Sequence, residues 1–284
     1  MIEEVLPFMY AFFDKIEQRL SISLKRPIEF EKRIQSDDYA SLWNKRLEES
    51  PISSYIGEIT EGFGPVLQAG ILDCKAFQEE YTKNLHEQKL LINAVFDHSK
   101  VEILENTVTY DGVPYERIVF CEGSYATENP YFKWLPFNLC QGDWAIIRTK
   151  KDLTSKVLNN KTNVIPLGDN TYKLSSTFSW KKLDWKPSPA ALAELKASFE
   201  ELFEEPYEVI DQQAGVRPTV ADRRPYLGSH PTHKQLFIFN GLGTKGVMLA
   251  PYFSNHLVQH ILEGKDLLPE VDIKRHMKRF LNLG

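Results

Sequence analysis

Along the first twenty residues apolar side chains recur every three to four positions, the period of one helix face, and the pattern predicts an amphipathic helix over residues 2–20. "RPIEFEKRIQ" alternates instead, which suits a strand from about Ile28 to Ile34. "DDYASLWNKRLEES" returns to helical spacing, with Asp37 or Asp38 as N-cap. Glycine and β-branched residues in "ISSYIGEITEGFGPVLQAGILD" predict short strands and turns, after which Asp73 caps a helix through "DCKAFQEEYTKNLHEQ". From "KLLINAVF" to "RIVFCEGS" closely spaced strands are expected, with Asp111-Gly112 turning between "TVTY" and "YERIVF". The nearly unbroken apolar run at 116–121, stopped by Gly123, suits a buried strand whose tip approaches a ligand.

Between about Leu135 and Gln213 the pattern changes: "GDWAIIRT", "TNVIPL" and "TYKLSST" read as strands and "SPAALAELKASFEELF" as a helix. That mixture predicts an antiparallel sheet with a helix against it. The chain then returns to its earlier style, with a buried strand in "KQLFIFNG", a helix in "GVMLAPYFSNHLVQHILEG" closed by Gly264, and a short final helix in "VDIKRHMKRF". No internal repeat or low-complexity linker is present. The expected fold is α/β (α+β), built as two interleaved lobes with boundaries near residues 71, 135 and 214.

Composition narrows the function classes. With 284 residues, 42% of them hydrophobic and 12% aromatic, the chain can bury a full core without a disulfide or metal staple. Lys+Arg is 34 against Asp+Glu 39, a net charge of −5, so no global positive field draws a polyanion and nucleic acid is not an expected partner. Cys74, Cys121 and Cys140 are odd in number and widely spaced, which fits reduced packing thiols in a cytoplasm better than a disulfide framework or a zinc ribbon. The apolar opening "VLPFMYAFF" has Glu3 and Glu4 where a signal peptide carries basic residues, and it is too short to span a bilayer, so no membrane role is expected.

Three stretches carry candidate chemistry. "GLGTKGVMLAP", residues 241–251, sets glycines between a strand and a helix, where free amides and the positive end of the helix dipole favour negative charge. Gly241, Gly243 and Gly246 would let a flat ring or an oxyanion reach the backbone, although tight strand-to-helix packing accounts for such a turn as well. In "AGVRPTVADRRPYLG", Arg217 lies in an apolar, strand-like setting; its planar fork suits a carboxylate, and an internal ion pair is the structural alternative. Asp222 reads as a turn or cap residue. In "RIVFCEGSY", Gly123 ends a strand and Ser124 opens a helix or turn that could cradle a phosphate or simply stop the strand. His256 and His260 stand four apart without the glutamate of a zinc-protease helix, and His230 and His233 have no third ligand in view, so no metal site is expected. "GFGP" at 62–65 does not continue as G-x-G-x-x-G, and "KRHMKRF" reads as a solvated helix face. Trp144, Tyr172, Trp180 and Tyr226 are candidates for a pocket wall, with core packing as the alternative.

Together these stretches resemble the D-amino-acid oxidase and glycine oxidase family of FAD-dependent oxidoreductases. Residues 215–264, from "GVRPTVADRRPYLG" to "APYFSNHLVQHILEG", look like that family's closing signature: G-x-R-P-x-T-x-D-x-x-P-x-[IL]-G, a strand, and a glycine-rich turn into a helix. Val220 takes the usual threonine place, or Thr219 sits one residue early. "RIVFCEGSYA" resembles the family's strand ending in aaG-x-[WY]-[ST], and "LPFNLCQGDWAII" its entry to the substrate lobe, with Gln141 in the basic place. With the "GILDCKAF" helix start, the resemblance covers most of residues 65–264, and residues 1–64 match in general style.

The resemblance implies a substrate domain of residues 1–70 and 135–213, with a mixed, largely antiparallel sheet, and an incomplete Rossmann-like FAD-binding domain of residues 71–134 and 214–284. It implies that Gly241, Leu242, Gly243, Thr244, Lys245, Gly246 and Val247 face the flavin and that Gly123 allows its close approach. Arg217 would hold the carboxylate of an amino-acid or amine substrate whose hydride passes to FAD. An oligomer is compatible with this reading. Family members begin with a strand, a G-x-G-x-x-G turn and a helix, and no such segment occurs in the 284 residues. The expectation is an N-terminally truncated representation of a flavoenzyme, with doubtful FAD binding by this chain alone. The rival is a cofactor-less remnant serving as a binding protein.

Overall fold

A computed structural model describes residues 2–181 and 183–282. Its helices are α1 (Ile2–Leu20), α2 (Asp37–Leu47), α3 (Cys74–Glu87), α4 (Pro189–Glu200), α5 (Gly246–Glu263) and α6 (Met277–Leu281). Its strands are β1 (Lys25–Pro27), β2 (Phe30–Arg33), β3 (Phe63–Val66), β4 (Gly70–Leu72), β5 (Val101–Ile103), β6 (Val108–Tyr110), β7 (Val113–Tyr115), β8 (Ile118–Phe120), β9 (Cys140–Thr149), β10 (Val157–Asn159), β11 (Asn163–Gly168), β12 (Thr171–Ser175), β13 (Tyr207–Arg217), β14 (Tyr226–Ser229) and β15 (Leu236–Asn240). The fold is mixed α/β with largely antiparallel sheets.

The largest sheet has the order β13-β9-β12-β11-β10-β2-β3, antiparallel throughout except for the β10–β2 pair. Period-two alternation turns Ala145 and Ile147 of β9, Val164 of β11, and Tyr172 and Leu174 of β12 to one face, where Leu195 and Phe199 of α4 cover them. Ser188 caps α4 by accepting from Ala191 N at 3.2 Å, and Pro189 follows at the position where a missing N–H costs nothing. The other face of the sheet is free to carry polar side chains.

A smaller sheet, β14-β15-β8, combines an antiparallel and a parallel pair. Phe237 of β15 and Leu227 of β14 pack under Leu249, Phe253 and Leu257 of α5, and Val5 of α1 joins the same cluster. On the opposite side Leu236, Ile238, Phe120 and Tyr226 form a second core with Phe132, Trp134 and Leu135. β15 is therefore buried on both faces, as its continuous apolar sequence predicts.

Two local expectations are corrected. The N-cap of α2 is Ser36, which accepts from Tyr39 N at 3.2 Å, and the two aspartates fill the first turn, where they favour the helix dipole. The stretch 90–97 is not a strand: Leu90, Ile92 and Val95 are exposed, and Phe96 instead stacks on Tyr110 with ring centres 4.3 Å apart. The Asp111-Gly112 turn is present, with φ of 52° and 77°, the left-handed pair that a two-residue hairpin needs.

Candidate functional site

Arg217 is the last residue of β13 and lies opposite Cys140 of β9, while Gly215 lies opposite Gly142 two positions inward on the same face. The glycine at 142 leaves a shallow trough, and the guanidinium lies in it: a Cβ built on Gly142 would overlap Nη2, Nη1 and Cζ. Nη2 donates to Ser176 Oγ at 2.6 Å, and both Nη1 and Nη2 donate to Thr177 O at 3.3 Å. Phe178 places its ring 4.8 Å from the guanidinium carbon. Among the described residues no carboxylate pairs with Arg217, so the charge is oriented by neutral acceptors and not neutralised.

The glycine turn lies at the end of β15. Asn240, buried there, donates from Nδ2 to Gly123 O at 2.9 Å and accepts from Gly241 N at 2.8 Å, tying the tip of β8 to the tip of β15. Gly241 (φ 75°) and Gly243 (φ 56°) are in the left-handed region, and a Cβ on Gly243 would press on Thr219 at 3.2 Å. Gly246 is different. It has ordinary helical φ, and a Cβ on it would meet only Leu242 at 3.9 Å, so nothing inside the protein requires a glycine there. No side chain caps the start of α5, which a short 3-10 turn, Gly243–Lys245, leads into.

Arg217 and this turn share one cleft of about 540 Å³. It is lined by Arg217, Ser176 and Phe178 on one side, by Gly243, Thr244, Gly246 and Val247 on the other, and by the β10–β11 turn at its end. A second cleft of about 510 Å³ runs along Gly241–Lys245 and is walled by Trp180, Phe178 and Thr219. No carboxylate or histidine lines either cleft among the described residues. Gly123 lines neither cleft; it is joined to the turn through Asn240, and a Cβ on it would meet nothing within 4 Å.

The remaining sequence candidates take structural places. Asp222 accepts from Arg224 N at 3.1 Å and from Arg275 Nε at 3.0 Å; burial opposes its ionisation, and the Arg275 hydrogen bond outweighs that to hold its pKa below the usual carboxylate value. His256 Nε2 accepts from Leu268 N at 3.0 Å, and His260 Nδ1 lies 2.6 Å from Lys265 O. Of the four aromatics singled out, Trp180 walls a cleft. Tyr172 and Tyr226 are buried core residues whose hydroxyls reach Asp152 and Pro136 O, and Trp144 lies under Lys173 with the ammonium 4.3 Å from its ring. Gln141 is buried, its amide holding Trp185 N at 2.9 Å and Lys186 O at 2.9 Å, and Trp185 stacks on Tyr125 two residues beyond Gly123. Sequence reasoning missed Ser176, Thr177, Phe178 and Asn240, which act through contacts between distant segments. For Gly142 a signal was present, since it follows Gln141 in the stretch likened to the entry of the substrate lobe.

The glycine oxidase of Pseudomonas putida (strain KT2440) is 33% identical over 120 residues, covering 41% of this chain and 33% of that protein. The glycine oxidase of Geobacillus kaustophilus is 26% identical over 172 residues, 57% of this chain and 45% of that protein, so the match spans less than half the length of either curated relative. The crystal structure of the Geobacillus enzyme superposes with a TM-score of 0.73 at 18% identity, covering 93% of this chain and 78% of that one. L-proline dehydrogenase from P. horikoshii gives 0.73 at 16% identity, covering 96% and 83%; at these identities the likeness speaks for the fold. The family described as FAD dependent oxidoreductase (DAO) matches residues 23–260, and the chain belongs to that family.

Proposed function

We propose that this chain supplies the substrate-binding and flavin-facing surfaces of an oxidoreductase that oxidises an amino acid or a secondary amine, in a cytoplasmic setting that suits three free cysteines. The observation that carries the reading is the meeting of Arg217, without an acid partner among the described residues, with the glycine turn in a single cleft.

The residues present fit FAD. Gly246 has no internal reason to lack a side chain, and a close-lying ring accounts for it. Backbone at Gly241, Leu242, Gly243, Thr244, Lys245, Gly246 and Val247 would hold the ring, with Gly123 beside it. The start of α5, which no side chain caps, presents the positive end of its dipole to a group that gains negative charge. When bound, FAD supplies a hydride acceptor.

The protein's own residues bind and orient. Arg217 takes the substrate carboxylate on the edges of the guanidinium not engaged by Ser176 and Thr177, and Phe178 keeps the fork from rotating. A carboxylate fixed there leaves the α-carbon of the substrate toward the glycine turn, which is the positional requirement of hydride transfer. The lining has no carboxylate or imidazole base among the described residues, so the substrate amine gives its proton to solvent before reaction. We assign the substrate lobe to residues 1–70 and 135–213 and the FAD-facing lobe to residues 71–134 and 214–284; α1, although in the first range, rests on α5 through Val5.

Ligand binding is read on this chain without relying on bound FAD: Arg217→Ala should weaken carboxylate ligands roughly 100-fold while affecting neutral amines far less. A protein in which Arg217→Ala weakens both ligand classes equally overturns the proposal.

A further inference from the structure

We infer, resting on the reading above, that the substrate carries a second anionic group, as in a dicarboxylic amino or imino acid, and that the β10–β11 turn receives it through Lys161. The cleft has three sources of positive potential, Arg217, the start of α5 and Lys161, and no carboxylate among its described lining residues. The first two already have tasks. Lys161, with Asn159, Thr162 and Asn163 beside it, has no part in the proposed reaction; its partner is Glu201, which does not line the cleft.

Position favours a ligand that spans the cleft. Asn163 pairs with Ser175, and the next residue, Ser176, hydrogen-bonds Arg217. Neighbouring strands lie ~4.8 Å apart, so the turn stands about one strand spacing beyond the support of Arg217, a reach suited to the carbon chain of a short diacid. Thr162 lines the cleft beside Lys161, with its Oγ1 enclosed by the protein.

Lys161 is paired with Glu201. That pair does not block the role. Glu201 also accepts from Asn160 Nδ2 at 2.9 Å and lies 3.9 Å from Arg33, so it keeps two partners when Lys161 turns inward. Both members of the pair are substantially exposed, where an ion pair contributes little and is readily exchanged.

Ligand-observed NMR titration of the 284-residue chain with propionate and with glutarate, at constant ionic strength, tests the inference. Glutarate is expected to bind at least about tenfold more tightly than propionate, and Lys161→Met should bring that ratio toward one while Lys161→Arg preserves it. Equal affinities, or a ratio that Lys161→Met leaves unchanged, overturn the second anionic site and leave the Arg217 reading intact. Absence of binding by either acid overturns both.

Discussion

Arg217 occupies the space that a side chain at Gly142 would need, so the orientation of the one guanidinium in the cleft is set by a missing methyl group on the neighbouring strand. The overlap would fall on the far end of a flexible side chain, which can swing away. Gly142→Ala should therefore cost little stability, at most about 1–2 kcal/mol in denaturant unfolding, because strand backbone tolerates alanine. Its effect on binding should be large. Displaced from Ser176 and Thr177, the guanidinium loses its fixed fork, and carboxylate affinity should fall roughly as far as in Arg217→Ala. Titration of propionate against both variants checks this, and a Gly142→Ala protein that binds like the parent would show that the trough does not orient Arg217.

Asn240 joins the two strand tips that flank the glycine turn. Replacing it with alanine leaves Gly123 O and Gly241 N without their side-chain partner in a buried setting, and each such group costs about 1–3 kcal/mol. Asn240→Ala should lower unfolding free energy by about 2–4 kcal/mol, read from the urea midpoint at unchanged slope. Asn240→Asp keeps the acceptor for Gly241 N but turns a second oxygen on Gly123 O, so it should be no better tolerated than alanine. A loss under about 0.5 kcal/mol in both variants would mean that the turn holds its shape without this bridge.

The parts of the molecule written in local signals were legible in the sequence. Helix α1 follows from apolar spacing, α3 from Asp73, which accepts from Ala76 N at 2.9 Å, and the close of α5 from Gly264 with φ of 70°. Arg217 and the 241–247 turn were legible as candidates because each pairs an unusual residue type with a strand end, and the structure brings them to one cleft. What could not be read is what two remote segments do together. Ser176 reaches Arg217 across 41 positions and Asn240 reaches Gly123 across 117, and no periodicity records such pairings. The misplaced strand at 89–96 has a related cause: its apolar side chains suggest a strand, yet the segment pairs with none and Leu90, Ile92 and Val95 stay exposed, and propensity without a partner does not make a sheet. Tyr172 and Tyr226 illustrate the converse, since a tyrosine whose hydroxyl finds a partner inside the core looks the same in sequence as one lining a pocket.

His230 sets a pH dependence that does not involve the cleft. Burial, with the neighbouring charge of His233, moves its pKa from 6.5 down to about 4. Geometry agrees, because Nδ1 accepts from Thr232 N at 3.3 Å and His233 N at 3.2 Å, and a proton on Nδ1 would face two donors. Above about pH 6.5 neither the folded nor the unfolded chain carries this proton, and stability is independent of it. As pH falls from 6.5 toward 4 the unfolded chain takes up the proton first, so unfolding free energy should decline through that window and level off below it, by up to about 3 kcal/mol. His230→Asn offers an amide oxygen in place of Nδ1 and cannot ionise, so its stability should be flatter over the same range once other groups are held common. Urea unfolding of both proteins from pH 7 to 4 provides the comparison, and parallel curves for the two would remove His230 as the source of the acid sensitivity.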